Sequence, residues 1–406
     1  MVSVRDNALG IYISVPFCRS KCTYCNFVSG VYPAGEHARY VARLIEDLRG
    51  AGDWAARVGV ELPRQVDTIY FGGGTPSLLE PGLLAKLFAA IGDVFNLDRE
   101  AEITVECAPG QLPDGVLEAL ASAGVNRVSL GVQSFVDVEA RGSGRLHDRS
   151  MVERDIGRIR AAGIENINVD LIAGLAGQTM ATWQESVDTL IGCGVPHASV
   201  YMLEVDEDSR LGRELLAGGV RYRAGLVPGD DAIAEMYACA IEWLEKAAIG
   251  QYEISNFSRP GFESRHNLRY WERRPYLGVG LDASSMLRSG RGGNGYVLRT
   301  STTADLKAYI EATEETEMAW LPPTRQHEEA WFLGLRLNAG VHVANVEREF
   351  GRAVVEPAKE TARRLASEGL LTWDGTRFRL TARGRLISNE VFQEFLAEAN
   401  EPLTRA

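Results

Sequence analysis

The sequence predicts an α/β protein: a partial, TIM-like (β/α)6 barrel followed by a small α+β winged-helix-like C-terminal domain. Three observations predict it. Between Gly10 and about Glu204, short apolar runs alternate six times with amphipathic stretches of helical period. The C-terminal ends of those runs carry polar, reactive or conformationally special residues, which a barrel gathers at one mouth and an open sheet does not. From about Pro322 the pattern changes to helices followed by a hairpin. The expected organisation is a barrel over 1–230, a barrel-closing segment over 231–320 and the C-terminal domain over 321–406.

Taken in order, Ile11 to Val15 reads as a strand and Glu36 to Arg49 as a helix, then Val66 to Phe71 and Pro81 to Val94. Glu102 to Glu106 precedes the helix Asp114 to Ala123, and Arg127 to Gly131 precedes Ser150 to Ala162. Ile164 to Ile172, Met180 to Gly192 and Ala198 to Leu203 complete six units. Pro81 and Pro113 stand where helices start, and Gly124, Gly163 and Gly194 where they end. Such alternation requires parallel strands joined by right-handed crossovers. The strand ends are Cys18, Gly72 to Gly74, Glu106, Gln133, Asp170 and Glu204. Six units leave one side of a barrel open. After a helix from Asp230 to Ala247, the aromatic and glycine-rich stretch Tyr252 to Ser285 reads as short strands and loops closing that side, and Arg288 to Tyr296 as a turn-rich hairpin or loop. Helices over Gln326 to Leu337, Val343 to Phe350 and Val355 to Glu368 then precede a hairpin around Asp374-Gly375.

The 406 residues are 45% hydrophobic and 24% charged, which excludes a disordered or collagen-like chain. A net charge of −12 supplies no bulk positive field for nucleic acid or an anionic surface. No nucleic-acid partner is expected, although a winged helix is often used for DNA, because Arg363 and Arg364 offer little of a basic recognition helix. The first ten residues lack the cationic start and apolar run of a secretory signal, so the expected address is cytoplasmic. Six cysteines are too few for a disulfide scaffold, and three lie within eight positions.

Those three, Cys18, Cys22 and Cys25, form a C-x-x-x-C-x-x-C loop directly after the first strand. Three thiolates on one loop can hold three corners of a [4Fe–4S] cube and leave one iron without a protein ligand. The alternatives are a structural zinc site, which wants a fourth Cys or His, and buried reduced thiols. Cys107, Cys193 and Cys239 have no metal spacing and read as buried small apolar residues.

Tyr12-Ile-Ser-Val-Pro-Phe-Cys18 through Cys25-Asn-Phe27, followed by Phe71-Gly-Gly-Gly-Thr-Pro-Ser77, resembles the radical S-adenosylmethionine (SAM) superfamily. Within it the chain, from about Gly10 to about Phe395, is similar to the branch containing oxygen-independent coproporphyrinogen III oxidase and the HemW-like haem chaperones. The resemblance implies that the amino and carboxylate groups of SAM chelate the open iron and that an electron from the cluster cleaves a C–S bond to give a 5′-deoxyadenosyl radical. Carried over residue by residue, it implies SAM contacts from Gly72, Gly73, Gly74 and Thr75 and from Glu106, Gln133, Arg145 and Asp170. Tyr24 is expected against the adenine, and Tyr12 is expected to point toward the cluster. Chemically the set suits the ligand: carboxylates for an ammonium and ribose hydroxyls, an amide for hydrogen bonding, a guanidinium for a carboxylate. A tight glycine turn and an internal polar network at the barrel mouth are the structural alternatives.

Two departures separate members of the branch. The oxidases carry a further cysteine two places after the third, where this chain has Phe27, and a longer N-terminal extension. His266-Asn-Leu-Arg-Tyr-Trp271 matches the HNxxYW motif of HemW-like proteins, which implies haem held by His266 with Tyr270 and Trp271 beside the macrocycle. The alternative for His266 is a hydrogen-bonded loop histidine in an aromatic cluster. Ser14 stands where the branch usually shows His. The expected function is a haem chaperone with a [4Fe–4S] cluster, SAM and haem. Implied partners are apo-haemoprotein acceptors and an electron donor such as flavodoxin or ferredoxin, with peripheral membrane association allowed on delivery. The rival readings are a radical SAM enzyme of the same branch, either the oxidase or a methyltransferase, and a DNA-binding regulator.

Overall fold

Six parallel strands and their crossovers form the centre of the molecule, known from a computed structural model that describes residues 7–290, 295–314 and 316–396. In order these are β1 (Leu9–Val15), α1 (Ala34–Val58), β2 (Gln65–Gly73), α2 (Pro81–Val94), β3 (Asn96–Cys107), α3 (Asp114–Ser122) and β4 (Arg127–Gln133). There follow α4 (Asp137–Gly142), α5 (Arg149–Ala161), β5 (Asn166–Ala173), α6 (Met180–Gly192), β6 (His197–Met202), α7 (Arg210–Ala217) and α8 (Asp230–Lys246). Alternation along the strands sends Ile11, Ile13, Ile69, Phe71, Ile103, Val105, Val128, Leu130, Ile167 and Val169 outward into one core with the helices. Each such side chain, fully buried, stabilises the fold by roughly 1.5–3 kcal/mol. The α1 helix contributes Tyr40, Val41, Leu44 and Leu48 and runs past the expected end at Arg49, because Ala51 and Ala55 extend its buried face.

The segment after α8 departs from expectation. Its elements are β7 (Gly250–Glu253), β8 (Asn256–Ser258), α9 (Arg265–Trp271), β9 (Tyr276–Val279), β10 (Ser284–Arg288), β11 (Val297–Ser301), α10 (Leu306–Glu311) and β12 (Glu317–Leu321). Rather than covering one gap, these strands extend both edges of the parallel sheet. β8 pairs antiparallel with β6, and β9 pairs parallel with β1, giving the order β12-β11-β10-β9-β1-β2-β3-β4-β5-β6-β8-β7. The barrel stays partial. The HNxxYW stretch is helical, not a loop: Ser264 caps it by accepting from Asn267 N, and the Glu102 carboxylate accepts from Arg265 N and His266 N at 2.9 and 3.0 Å. Seven residues are too few to show a helical period in sequence. The middle of the turn expected between Arg288 and Tyr296 lies outside the described residues.

The C-terminal part holds α11 (Pro323–Arg336), β13 (Val341–His342), α12 (Val343–Phe350), α13 (Arg352–Ser367), β14 (Leu371–Trp373), β15 (Arg377–Leu380), α14 (Ala382–Leu386) and α15 (Ser388–Gln393). Helices plus a three-stranded sheet, β13-β15-β14, enclose a separate core around Trp331, Leu335, Val355 and Phe378. Arg363 and Arg364 are ion-paired with Glu356 and with Glu368 and Glu394. No helix among the described residues is long and apolar enough to cross a membrane.

Candidate cluster and cofactor site

The C-terminal ends of β1 to β6 open on a cavity of about 880 Å³. The cysteine loop forms one wall, and Arg336, Ser388, Asn389 and Glu390 of the C-terminal part stand in the same wall lining. The loop is tied down by backbone hydrogen bonds: Cys18 N donates to Gly30 O, Thr75 N to Phe17 O and Gly74 N to Val15 O, all at 2.8 Å, and Thr23 N to Ser143 O at 3.0 Å. A Cβ on Gly74 would lie 2.8 Å from both the Phe17 and Val15 carbonyl oxygens, so only glycine lets the two loops touch. Gly73 adopts φ 101°, which favours the same residue type. Cys18, Cys22 and Cys25 are half-buried and all face the cavity. Thr75 Oγ1 lies 3.9 Å from Cys18 Sγ, and Arg145 Nη1 lies 3.5 Å from Cys22 Sγ while its Nη2 donates to the Gly131 carbonyl. Burial pushes the Cys18 thiol up.

The polar strand ends gather beside this loop. Glu106 Oε1 accepts from the Tyr70 hydroxyl at 2.8 Å. Burial pushes its carboxyl up to about 7; the Tyr70 bond, the Gly73 N–H and Arg127 pull it back, while the Asp170 charge adds to the rise. Asp170 accepts from Asn168 Nδ2 at 2.7 Å and from Ser129 Oγ at 3.2 Å, and burial raises its carboxyl too. A register shift between Gly131 and Gln133 bulges the end of β4, with Gln133 at φ 71°. The bulge aims the amide at the cavity, and Gln133 Oε1 is buried with no partner among the described residues. Tyr24 faces the cavity and packs against Ile172, Leu175 and Leu203.

The placement of three other expected residues differs. Tyr12 and Gly72 lie beneath the cavity wall rather than in it: the Tyr12 ring stacks on Tyr70 at 6.1 Å, and a Cβ on Gly72 would meet Tyr70 and Glu106. His266 lies lower still and is fully enclosed, not exposed in a cleft. Its ring nitrogens are hydrogen-bonded to Thr68 Oγ1 at 2.9 Å and the Tyr270 hydroxyl at 2.8 Å, with the Tyr70 ring 5.2 Å away. Burial, then the neighbouring charges of Arg269 and Arg127, hold His266 neutral. Cys107 is buried as expected, but Cys193 and Cys239 are only half-buried, since one follows the end of α6 and the other sits on the partly exposed side of α8. Tyr70, Ser129 and Asn168, which hold Glu106 and Asp170, escaped sequence reasoning. Their signal was the unbroken series of polar residues at alternate strand positions.

Comparison with known proteins bears on this site. The model of the Radical SAM superfamily matches residues 12–190, and that of the HemN C-terminal domain matches 321–387. The protein named heme chaperone HemW of Lactococcus lactis is 34% identical over 392 residues, covering 95% of this chain and 97% of that protein. That of Bacillus subtilis is 33% identical, covering 95% and 99%. The chain belongs to the HemW family of radical SAM proteins. The solved structure of coproporphyrinogen III oxidase (HemN) from Escherichia coli shares the fold, with a TM-score of 0.78 over 97% of this chain and 91% of that one at 21% identity.

Membership of the radical SAM superfamily implies a [4Fe–4S] cluster and SAM, and the residues of this HemW-family chain fit both. The three loop thiols, the glycine approach at Gly74 and the unpartnered Gln133 oxygen all face one cavity. Cys18, Cys22 and Cys25 would hold the cluster, with Glu106, Gln133, Arg145 and Asp170 around the cofactor. When bound, the pair supplies one-electron chemistry that no side chain here can perform.

Proposed function

We propose that this protein is a haem chaperone that carries a [4Fe–4S] cluster, binds SAM and passes haem to apo-haemoproteins. The near-full-length likeness to proteins named heme chaperones carries this reading. Phe27 supports it: where the oxidases carry a further cysteine, this chain places a phenyl ring that is 66% exposed at the cavity rim. The alternative, a radical SAM oxidase or methyltransferase, has in its favour the retained cofactor residues and the fold shared with an oxidase.

Ligation of haem iron by His266 would require Thr68 or Tyr270 to give up a ring nitrogen and α9 to move from its seat on Glu102. A flavodoxin or ferredoxin as electron donor, action in the cytoplasm and peripheral contact with a membrane on delivery belong to the same proposal. The test is anaerobic titration of the reconstituted protein with haem, followed by addition of an apo-haemoprotein. A Soret band that passes from this chain to the acceptor is the expected result, with no decarboxylation of coproporphyrinogen III. Repeated turnover of that porphyrinogen, dependent on Cys22, would overturn the chaperone reading. Haem ligation by His266 is checked by His266→Ala, which should then shift the Soret band, whereas an unshifted band places the ligand elsewhere.

A further inference from the structure

Arg127, the first residue of β4, is among the largest fully enclosed side chains, 1% exposed. Alternation along β4 turns Arg127, Ser129, Gly131 and Gln133 inward, while Val128, Leu130 and Val132 join the core under the helices. The register sets Arg127 beside Thr104 of β3 and Asn166 of β5, one inward step beneath the row Glu106, Ser129 and Asn168. Among the described residues no carboxylate reaches ion-pair distance of it, and its Nε has no hydrogen-bond partner. Enclosing a guanidinium this way is costly unless nearby charge answers it. Two carboxylates stand above it in the barrel interior, and both line the cavity.

The geometry points to Arg127 as a positioning residue of the cofactor site, its buried charge serving Glu106 and Asp170 from beneath. The inference rests on the reading that those two side chains hold SAM. Burial raises both carboxyls, and Arg127 opposes that rise in both. The same charge, after burial, helps hold His197 neutral, so that imidazole does not compete as a cation. The other groups facing Glu106 are Tyr70 from β2, Tyr12 from β1, Asp170 from β5, Tyr201 from β6, Tyr270 from α9 and the adjacent Cys107, all neutral or negative. Arg145, the second cation near Asp170, is engaged by Cys22 and the Gly131 carbonyl. Without Arg127, Glu106 faces phenols, the Cys107 thiol and Asp170, and Asp170 keeps only the already engaged Arg145. Both carboxyls then hold protons to higher pH, and a protonated carboxyl accepts less well from the ammonium and hydroxyls of the cofactor.

The experiment measures SAM affinity of the full chain, reconstituted anaerobically with iron and sulfide, by equilibrium dialysis between about pH 6 and 9. Arg127→Met is expected to weaken binding about tenfold at pH 6 and about fivefold at pH 7, the loss vanishing toward pH 9, as a rise of about one unit from a carboxyl pKa of about 7 dictates. Arg127→Lys should restore most of the affinity and the wild-type profile. A profile for Arg127→Met parallel to wild type, or a Lys variant as weak as Met, overturns the inference. Arg127→Gln takes the place of Met if that variant does not fold. Glu106→Gln and Asp170→Asn separate the two levels of reading. Unchanged affinity in both overturns the cofactor site itself, whereas weakened binding in them with an unshifted Arg127→Met profile overturns the role of Arg127 alone.

Discussion

Tyr70 donates a 2.8 Å hydrogen bond to Glu106, joining neighbouring strands β2 and β3 inside the barrel. The ring of the same tyrosine lies 5.2 Å from that of His266, so a single aromatic layer separates the Glu106 carboxylate from the buried HNxxYW helix. The site and its floor are therefore mechanically continuous, and substitutions in either are expected to register in the other.

The cysteine loop should assemble about four iron and four sulfide per chain under anaerobic reconstitution. Replacing Cys18, Cys22 and Cys25 together by Ala should abolish both the iron content and the broad visible absorbance. Zinc at one equivalent without that absorbance would contradict the assignment.

Gly74→Ala should damage the cluster site without touching a thiol. Its Cβ would meet two backbone carbonyl oxygens at 2.8 Å, and neither can rotate away. Overpacking of this kind costs typically 1–3 kcal/mol, concentrated here on the loop carrying Cys18. Iron content per chain should fall below wild type; an unaltered content and melting temperature would show that the loops can separate freely.

Glu106 makes the stability of the ligand-free protein pH-dependent. Burial first of all holds its carboxyl at about 7 against an ordinary 4.5, so the folded protein keeps a proton that the unfolded chain releases. The stabilisation is complete below about pH 4.5 and is lost as pH rises through 7, a total of roughly 3 kcal/mol. Glu106→Gln, whose amide oxygen can still accept from Tyr70, should gain melting temperature relative to wild type between about pH 5 and pH 8. Parallel melting curves at all pH values would mean that the Glu106 carboxyl titrates alike in the folded and unfolded chains.

Asp170→Ala removes an acceptor held by Asn168 and Ser129 in an enclosed wall. SAM affinity should fall by roughly 1–3 kcal/mol, about 5- to 150-fold. Equilibrium dialysis on the reconstituted protein reads this directly, and equal affinities would remove Asp170 from the site.

His266→Ala should destabilise the fold by roughly 2–4 kcal/mol, because it leaves a cavity and strips partners from the Thr68 and Tyr270 hydroxyls. Urea unfolding measures the loss. A variant as stable as wild type would indicate that α9 is not anchored through this imidazole.

By itself the sequence determined the six β/α units, the three-cysteine loop and the series of polar strand ends. Strand and helix periods are written in neighbouring residues, and the ligand spacing from Cys18 to Cys25 spans a single loop. Helix starts at Pro81, Asp114 and Met180 were legible for the same reason. The tertiary structure alone decided that α9 is a helix seated on Glu102, that His266 is enclosed between Thr68 and Tyr270, and that Arg127 lies beneath two carboxylates with no ion-pair partner among the described residues. Thr68 and His266 are separated by 198 residues in the chain, and no local pattern encodes a hydrogen bond closed over that distance. Nor does it encode the energy of a charge, which depends on what the fold places around it and on how completely the fold excludes water.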